Sequence, residues 1–469
     1  MKFSIGYNYD IKLLDLLDIY KKHIEAFYFP IPVQYLGSGR IILEPHDYIQ
    51  EIPRIVAKCN SLNITSQLLL NATCEGNSGL NRNFFEGLVD YIKKLRDMGL
   101  GSIVITNPVY IKMIKTKISG IRIESSVNCY TKTVEHALYL KDLGVDVLTI
   151  DRDINRDIPL IKEIKKSTNL KIRLMLNEGC LRNCPFRVMH YNYLSHHSNL
   201  SRRLIDGVVP DRFCIEIYLK NQEKVFSIPF IPPDALKYYE SFIDYYKLST
   251  RVIPTNQIEL CLKAYINQRF NGNLLEILDS PGLAYFEYID YRILSKGNYF
   301  KKMIDCADDC NSCGYCNRLL KKATVVNRNF LKKKDKKCEI RAIRVYKNVL
   351  KASSNKNKGF VYEKLSKAYF NLSQYKEAIK QAYRFMALNH KASGLHFFLG
   401  LCYERIAKYK KAVEEFKKEE KINPEDARIA LSLARCYRKI GRKELVNKEI
   451  ENCIRKIKNG TAESLERLK

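Results

Sequence analysis

Short apolar runs alternate with amphipathic helix-like segments along the first 250 residues, and this alternation limits the chain to a few architectures. Repeated β–α units build parallel sheets, and eight such units close a (β/α)8 barrel of the TIM type. The predicted strands are KFSIGY at 2–7, AFYF at 26–29, NITSQLLLN at 63–71, SIVIT at 102–106, IRIESS at 121–126, VLTI at 147–150, KIRLML at 171–176 and YYKLS at 245–249. The segment 190–244, between the last two strands, is unusually long for a simple connection.

The length of the chain predicts more than one domain, because 469 residues exceed what one hydrophobic core usually supports. No stretch approaches the roughly 20 consecutive apolar residues that cross a bilayer. Asp10, Lys12 and Asp15 interrupt the apolar run that a signal peptide would need. We therefore expect a cytoplasmic protein that does not contact membranes. In that compartment, fifteen cysteines indicate metal binding or catalysis before disulfides.

The chain carries 80 Lys and Arg residues against 51 Asp and Glu residues, a formal net charge of +29. Such an excess attracts phosphate backbones, so the composition leaves RNA open as a substrate or partner. A soluble basic surface explains the same excess, and the sequence has no interleaved aromatic motif of the kind that stacks on RNA bases.

Polar residues follow the predicted strands, at the end of a TIM barrel where enzymes place their chemistry. The candidates for substrate binding are Asn71, Glu75, Ser125, Asn128 and Asn177. The segment DRDINRD at 151–157 adds Arg152 and Arg156, whose side chains suit a carboxylate or phosphate. Each of these residues also has a structural interpretation, as a turn former or as part of a solvated, salt-bridged loop.

The stretch NEGCLRNCPFRVMH at 177–190 places two cysteines four positions apart, directly after the seventh predicted strand. Cys180 and Cys184 can converge on one soft centre, and sets of four thiolates hold zinc or iron–sulfur clusters. Glu178 and His190 are candidate proton-transfer groups, and Arg187 is a further candidate clamp for an anionic substrate. Two buried apolar cysteines are the alternative.

Further cysteines are candidates to complete that ligand set. Cys214 lies in DRFCIEIY, which the pattern predicts to be a strand, and it is the expected third ligand. Cys74 or Cys129 would supply the fourth from a neighbouring barrel loop, and the sequence does not choose between them. His196 and His197 are either metal ligands or a solvated or capping pair.

A second group, CADDCNSCGYC, contains Cys306, Cys310, Cys313 and Cys316 within eleven residues. That density of thiols beside two aspartates suits a compact metal knuckle, which either zinc or an iron–sulfur cluster would fit. The first three cysteines have the C-x3-C-x2-C spacing of radical S-adenosylmethionine enzymes. In those enzymes, however, the motif follows the first barrel strand, and an aromatic residue stands where this chain has Ser312.

A Lys-rich linker at 321–339 ends the first domain, which is predicted to span 1–320 with the knuckle at 306–316. Beyond it, residues 340–469 repeat with a period of 34 residues. The repeated positions are Leu365, Leu399 and Leu433, Tyr369, Tyr403 and Tyr437, Ala378 and Ala412, and Asn389 and Asn423. With Gly400 and Pro424, this is the tetratricopeptide pattern, an all-α array whose concave surface binds a peptide or protein partner.

Residues 1 to about 320 resemble the collagenase-like U-32 peptidase family. The resemblance is carried by NATCEGN, SSVN, DRDINRD, NEGCLRNCPFRVMH, Cys214, PFIPPDALKYYESF and AYINQRFNGNLLEIL. It implies a (β/α)8-type barrel whose cysteines carry an iron–sulfur cluster, expected to be 4Fe–4S. Some relatives hydroxylate RNA bases or the ubiquinone ring without oxygen, and others were named peptidases. The tetratricopeptide half is foreign to the usual members, many of which have a wider first cysteine spacing.

The leading hypothesis is therefore an iron–sulfur enzyme that carries out redox chemistry or oxygen-independent hydroxylation on an RNA, peptide or small-molecule substrate. One alternative is a metal-dependent peptidase, although the chain has neither H-E-x-x-H nor a recognisable Ser-His-Asp set. The other is a non-catalytic maturation factor or scaffold that docks a client through its repeats.

Overall fold

The structure is a computed structural model, and it describes residues 1–36, 38–40, 44–45, 47–76, 81–198, 213–279, 281–306, 310–327, 336–352, 355–388 and 394–466. Within these ranges it leaves out the side chains of residues 197–198, 213, 281–282, 310–311, 336–338, 352, 355–357 and 458–466. The predicted repeat position Asn389, part of the predicted linker, and the side chains of His197 and Cys310 therefore lie outside the described residues.

Eight parallel strands close a barrel in the first of two compact units, Met1–Ala323. Their order around the barrel follows the chain, and the first strand pairs with both the second and the eighth. The strands are β1 Phe3–Gly6, β2 Ile24–Pro30, β3 Thr65–Leu70, β4 Ser102–Ile105, β5 Arg122–Ser125, β6 Val147–Thr149, β7 Lys171–Met175 and β8 Tyr245–Lys247. All eight lie where the apolar runs predict them, and the (β/α)8 barrel is confirmed.

Helices follow the strands, so a strand such as β4 is buried along its whole length. The helices of this part are α1 Leu13–Tyr20, α2 Tyr48–Ser61, α3 Arg82–Asp97, α4 Pro108–Lys117, α5 Val134–Asp142, α6 Ile158–Thr168, α7 Arg187–Ser198, α8 Phe213–Lys220 and α9 Thr255–Ile266. In α3, the Asn81 side chain caps the helix by accepting hydrogen bonds from the backbone N–H groups of Asn83 and Phe84. Its apolar residues recur every three or four positions and face the barrel.

The prediction of a strand around Cys214 is wrong, because this segment forms helix α8. Alternating apolar and polar residues over so short a stretch are compatible with either structure. The helix brings Cys214 and Tyr218, four positions apart, onto one face.

A polar layer crosses the barrel interior, where TIM barrels usually place aliphatic side chains. Arg173 of β7 donates hydrogen bonds to Glu124 of β5 (2.7 Å), Glu25 of β2 (2.8 Å) and Ser4 of β1 (3.0 Å). Gln67 of β3 also donates to Glu124, at 3.1 Å. The arginine and Glu124 are fully buried, so each charge depends on the other for compensation.

After the eighth strand the barrel unit continues with short elements. They are β9 Phe286–Ile289, α10 Tyr291–Lys296, α11 Tyr299–Ile304, α12 Cys310–Cys313 and α13 Tyr315–Ala323. The four cysteines of the predicted knuckle lie between the end of α11 and the first turn of α13.

The second unit, Thr324–Lys469, consists of the short strand β10 Thr324–Val326 and helices. The helices are α14 Lys336–Ala352, α15 Asn355–Asn371, α16 Tyr375–Leu388, α17 Leu395–Arg405, α18 Tyr409–Ile422, α19 Ala427–Ile440 and α20 Lys443–Glu466. The repeated leucine, tyrosine and alanine positions are buried in equivalent places of every second helix: the leucines and tyrosines in α15, α17 and α19, and the alanines in α16 and α18. The tetratricopeptide array is confirmed. Among the described helices of the chain, none has the length and apolarity needed to cross a bilayer.

Candidate functional site

The loop after β6 is buried, which excludes the interpretation of 151–157 as a solvated loop. Asp151, Arg152 and Asp153 are 0%, 1% and 5% exposed. The Asp151 side chain accepts a hydrogen bond from the backbone N–H of Asp153 (2.7 Å) and caps the single turn Arg152–Ile154. This turn fixes Arg152 at the mouth of the barrel.

Glu178, directly after β7, lies between two arginines. Its carboxylate oxygens are 3.6 Å from Arg152 Nε and 3.9 Å from Arg40 Nη2. Burial alone would raise the pKa of Glu178, but the two guanidinium groups outweigh it and lower that pKa. Glu178 is therefore an ionised acceptor rather than a proton donor, and its Oε1 has no hydrogen-bond partner among the described residues.

A second carboxylate, Asp279, shares Arg40 with Glu178. Arg40 Nη2 donates a hydrogen bond to Asp279 Oδ2 at 2.6 Å, and the Ser249 hydroxyl donates to the same oxygen. Burial raises the pKa of Asp279 although Arg40 lowers it. Asn177 holds this region by donating to the Ser249 carbonyl (3.0 Å) and accepting from the Ser249 N–H (2.7 Å).

Four cations lie with carboxylates at the mouth of the barrel. Besides Arg40 and Arg152, two cations from the end of β8 and the loop after it act on the same carboxylates. They are Lys247, whose ammonium lies 4.4 Å from the Tyr28 ring centroid, and Arg251, which donates to the Ser38 hydroxyl at 2.7 Å. Burial lowers the pKa of Lys247 to about 8. Asp151 and Glu124 act on Arg152 and Lys247, so four carboxylates accompany the four cations, and the guanidinium groups among them suit an anionic ligand.

Three of the predicted ligand cysteines lie beside one buried tyrosine. The Tyr218 side chain is 1% exposed, and its hydroxyl has no hydrogen-bond partner among the described residues. Its pKa is raised by burial and then by the charges of Cys214, Cys180 and Cys184. Cys180 also hydrogen-bonds Glu178, and burial raises the pKa of its thiol. All three cysteines therefore act on the same tyrosine, and their role as ligands of one centre stays a prediction.

The two candidates for a fourth thiol have other partners. Cys74 Sγ lies 2.9 Å from His196 Nε2, which joins the loop after β3 to helix α7. The preceding residue, Thr73, is hydrogen-bonded to the same helix. Its N–H donates to the Ser195 hydroxyl at 2.9 Å, and the side-chain hydroxyls of Thr73 and Ser195 share a second hydrogen bond. Cys129 donates to the Thr106 carbonyl at 3.3 Å, and burial raises its pKa to about 12.

Two of the predicted anion clamps bind protein groups instead of facing Glu178. Arg187 pairs with Asp153 and donates to the Leu181 carbonyl at 2.6 Å. Arg156 donates to the Ile228 carbonyl and, at 3.4 Å, to the Tyr299 hydroxyl. Both side chains hold the loops around the mouth in place.

The remaining predicted residues lie around the same end of the barrel. Asn128 accepts a hydrogen bond from Arg152 at 3.1 Å, and Ser125 accepts one from the Thr149 N–H at 3.1 Å. Asn71 accepts from the Gly39 N–H at 3.3 Å, and Glu75 accepts from the Tyr110 hydroxyl at 2.5 Å. The ring centroids of His190 and Tyr191 are 6.0 Å apart. Asn128 is thus connected directly to the Arg152 and Glu178 pair. The other contacts are structural.

Several residues of the site escape sequence reasoning. Arg40 and Asp279 come from loops far from each other in the chain, and no motif marks them. The sequence does point to Lys247 as a candidate site residue, because a lysine inside an otherwise apolar strand is unusual. Among the described side chains, no group of three or more His, Cys, Asp and Glu residues is arranged to hold a metal ion.

Comparison with known proteins identifies the family. A model of peptidase family U32 matches residues 46–181. The uncharacterized protease MJ1657 of Methanocaldococcus jannaschii is 30% identical to this chain over 308 residues, which are 65% of this chain and 90% of that protein. The chain belongs to the U32 peptidase family.

Solved structures similar to this U32 family member include the U32 peptidase Mk0906 and MamA. Mk0906 is 18% identical, with a TM-score of 0.40, and the match covers 52% of this chain and 90% of Mk0906. MamA is 18% identical, with a TM-score of 0.27, and the match covers 36% of this chain and 95% of MamA. Membership of the family leaves the reaction to be argued from the site.

Proposed function

We propose that this U32 family member is an iron–sulfur enzyme that acts on an anionic substrate at the mouth of its barrel. The observation that carries the proposal is the buried Tyr218 hydroxyl, which has no hydrogen-bond partner among the described residues and whose pKa is raised by the charges of Cys214, Cys180 and Cys184. A buried hydroxyl without a partner costs about 1–3 kcal/mol, so native proteins rarely keep one. A sulfur-rich group at this point would accept its hydrogen bond.

The donor set fits such a group. Cys180, Cys184 and Cys214 are thiols, the ligands that iron–sulfur clusters take from proteins. Thiolates and a cluster bring negative charge into a buried site, and Arg40 and Arg152 already act on Cys180 there. When bound, the cluster would supply one-electron transfer. The family resemblance implies oxygen-independent hydroxylation, a two-electron oxidation that also needs an oxygen donor other than O2 and a final electron acceptor.

The chain's own residues account for substrate binding and proton transfer. Arg40, Arg152 and Arg251 would bind a carboxylate or phosphate, because guanidinium groups pair with both in fixed geometry. Glu178, held ionised by two arginines, would accept a proton at Oε1 from the substrate or from water. Asn128 and Tyr191 orient Arg152 from its other sides, by a hydrogen bond and by a ring whose centroid lies 5.0 Å away.

The test is anaerobic purification with metal analysis. The protein is expected to be brown and to contain iron and acid-labile sulfide, and Cys180→Ser with Cys184→Ser should remove part of both. Cys59→Ala, a buried cysteine of α2, is the matched control and should leave them unchanged. Tyr218→Phe should keep the iron but lower the reduction potential, because hydrogen bonds to cluster sulfurs raise it. A colourless, iron-free protein that still turns over its substrate would rule out the proposal.

A second candidate function, peptide hydrolysis, is favoured by one contact. The 2.9 Å distance between Cys74 Sγ and His196 Nε2 is that of a nucleophile and its base. Both groups lie at the end of the barrel where TIM enzymes place their chemistry. This cysteine–histidine pair is a different arrangement from the metal-dependent peptidase that the sequence leaves open. In the structure, Glu178 pairs with arginines.

Fluorogenic peptides test this second function. If it operates, Cys74→Ala and His196→Ala each abolish cleavage, whereas Cys129→Ala, which removes a thiol bonded to backbone carbonyls, leaves it intact. Cleavage that survives Cys74→Ala excludes the pair as its cause.

A further inference from the structure

Three thiols from the second cysteine group face one cavity of about 230 Å³ in the barrel unit. They are Cys306, Cys313 and Cys316, and we call the space between them the cysteine cavity. Asp305 and Glu223 also line it, together with the backbone turn at Gly314. The site proposed above uses none of these residues.

The local backbone explains why thiols so close in sequence face the same space. Helix α12 ends at Cys313, and α13 begins two residues later at Tyr315. Gly314 between them has φ +58°, a left-handed conformation that glycine adopts without strain and that reverses the chain direction. Cys313 and Cys316, on either side of this turn in sequence, both line the cavity.

A fourth thiol belongs to the same turn of helix. Cys310 is the first residue of α12 and precedes Cys313 by three positions. The group then has four thiols and the C-x3-C-x2-C-x2-C spacing.

The size of the cavity distinguishes the two kinds of metal that the sequence leaves open. Zinc holds each thiolate about 2.3 Å away, so four sulfurs close tightly around a single ion and leave no room between them. A 4Fe–4S cluster is itself a body of eight atoms, and its cysteines stand around it. A cavity of about 230 Å³ bordered by thiols matches the second arrangement.

Tyr299 of α11 connects the loop after β6 with the region of Cys316. The Tyr299 hydroxyl donates to the Phe226 carbonyl at 2.6 Å and accepts from Arg156 at 3.4 Å. The pKa of the same tyrosine responds to the charges of both Arg156 and Cys316. One buried tyrosine is thus within electrostatic reach of Cys316 and hydrogen-bonded to the loop after β6.

We propose that the cysteine cavity binds a 4Fe–4S cluster through Cys306, Cys310, Cys313 and Cys316, separate from any cluster at Cys180, Cys184 and Cys214. The sequence leaves zinc and an iron–sulfur cluster open at this knuckle, and we infer the cluster. The proposal does not depend on the proposed function, because the two sites share no ligand and each is tested with its own variants.

The experiment uses the full chain carrying Cys180→Ser and Cys184→Ser, purified without oxygen and reconstituted with ferrous iron and sulfide. The expected result is about four iron and four sulfide per chain, a native mass increased by one cluster, and an electron paramagnetic resonance signal after reduction with dithionite. Adding Cys313→Ser and Cys316→Ser should remove the iron and sulfide, the mass increase and the resonance signal. Cys402→Ser, a buried cysteine of the repeat unit, is the control and should change none of them.

Two results would overturn the proposal. One is a native mass showing a single zinc ion that disappears with Cys313→Ser and Cys316→Ser. The other is a folded chain, judged by circular dichroism, that takes up no metal after reconstitution. If the fourfold variant does not fold, native mass spectrometry of the wild-type chain decides the question, since one cluster, two clusters and a zinc ion differ in mass.

Discussion

Lys247 is a cation placed where the protein compensates its charge poorly. It ends β8 inside the barrel, where burial disfavours the ammonium form and Glu124 offsets that effect only in part. Burial lowers the pKa of Lys247 from 10.5 to about 8. Between these two pH values the unfolded chain binds more protons than the folded chain, so the free energy of unfolding rises with pH in that window.

Replacing this lysine should therefore stabilise the barrel. At pH 7, Lys247→Met is expected to raise the free energy of unfolding by up to about 3 kcal/mol, because 1 pKa unit corresponds to about 1.4 kcal/mol. The gain should shrink as the pH rises from 8 and vanish near 10.5. Urea denaturation at pH 7, 9 and 10.5 measures it.

The control for this prediction is Lys166→Met, an exposed lysine of α6, which should change the stability little at any pH. A gain at Lys247 that is the same at all three pH values would show that packing, and not the buried charge, is responsible.

At the scale of single residues, the sequence finds those parts of the site that lie directly after a strand. Arg152 and Glu178 follow β6 and β7, and a closed barrel brings the ends of its strands together. Arg40 and Asp279 reach the same site from loops whose paths depend on tertiary packing. No local pattern records such a path, so these two residues required the structure.

Secondary-structure elements were more predictable than sites, because strands and helices follow from local periodicity. The eight strands and the repeat helices agree with the apolar patterns, whose periods of 2 and 3.6 are properties of neighbouring residues. The exception is α8, a helix of 8 residues whose alternating pattern also suits a strand. Its correct structure matters for the site, since the helix brings Cys214 and Tyr218 within one turn of each other, whereas a strand would put them on one face but roughly 13 Å apart.

The repeat helices depend on close contact at Gly400. A Cβ atom added at this residue of α17 would lie 2.5 Å from Phe416 Cε1 in α18, closer than carbon atoms approach. Gly400→Ala should therefore push the two helices apart and destabilise the repeat unit by about 1–3 kcal/mol, as overpacking usually does. Thermal unfolding of the full chain, followed by circular dichroism at 222 nm, measures the change.

The matched control is Gly359→Ala in α15. A Cβ atom there would meet only Phe385, at an ordinary contact distance of 3.9 Å. Because alanine favours helix by about 1 kcal/mol over glycine, this variant should be neutral or stabilising. Equal destabilisation by both substitutions would contradict the packing argument.

The net charge of +29 is a property of the whole chain that the barrel site does not explain. The cations at the mouth are buried, whereas binding to a phosphate backbone uses exposed lysine and arginine. RNA as a substrate or partner therefore stays a prediction. Mass spectrometry of total RNA from cells that lack the protein would reveal a missing base modification.

The division into two compact units bears on whether the chain is an enzyme or a scaffold. The proposed ligands, the carboxylates and the cations all belong to Met1–Ala323, and the repeats belong to Thr324–Lys469. If the barrel is the enzyme, its chemistry needs nothing from the repeats. If the protein is a scaffold that docks a client, the repeats are the essential part.

A chain that ends at Glu339 distinguishes these cases. Because the site residues lie within one unit, the shortened protein should keep the iron content of the full chain and turn over a small substrate with unchanged kcat. Capture of a peptide or protein client should be lost, since the repeat helices α15 to α20 are absent. Metal analysis, turnover and a pull-down on both proteins measure the three properties. Retained client binding would place the docking surface on the barrel, and lost turnover on a small substrate would show that the repeats take part in the reaction.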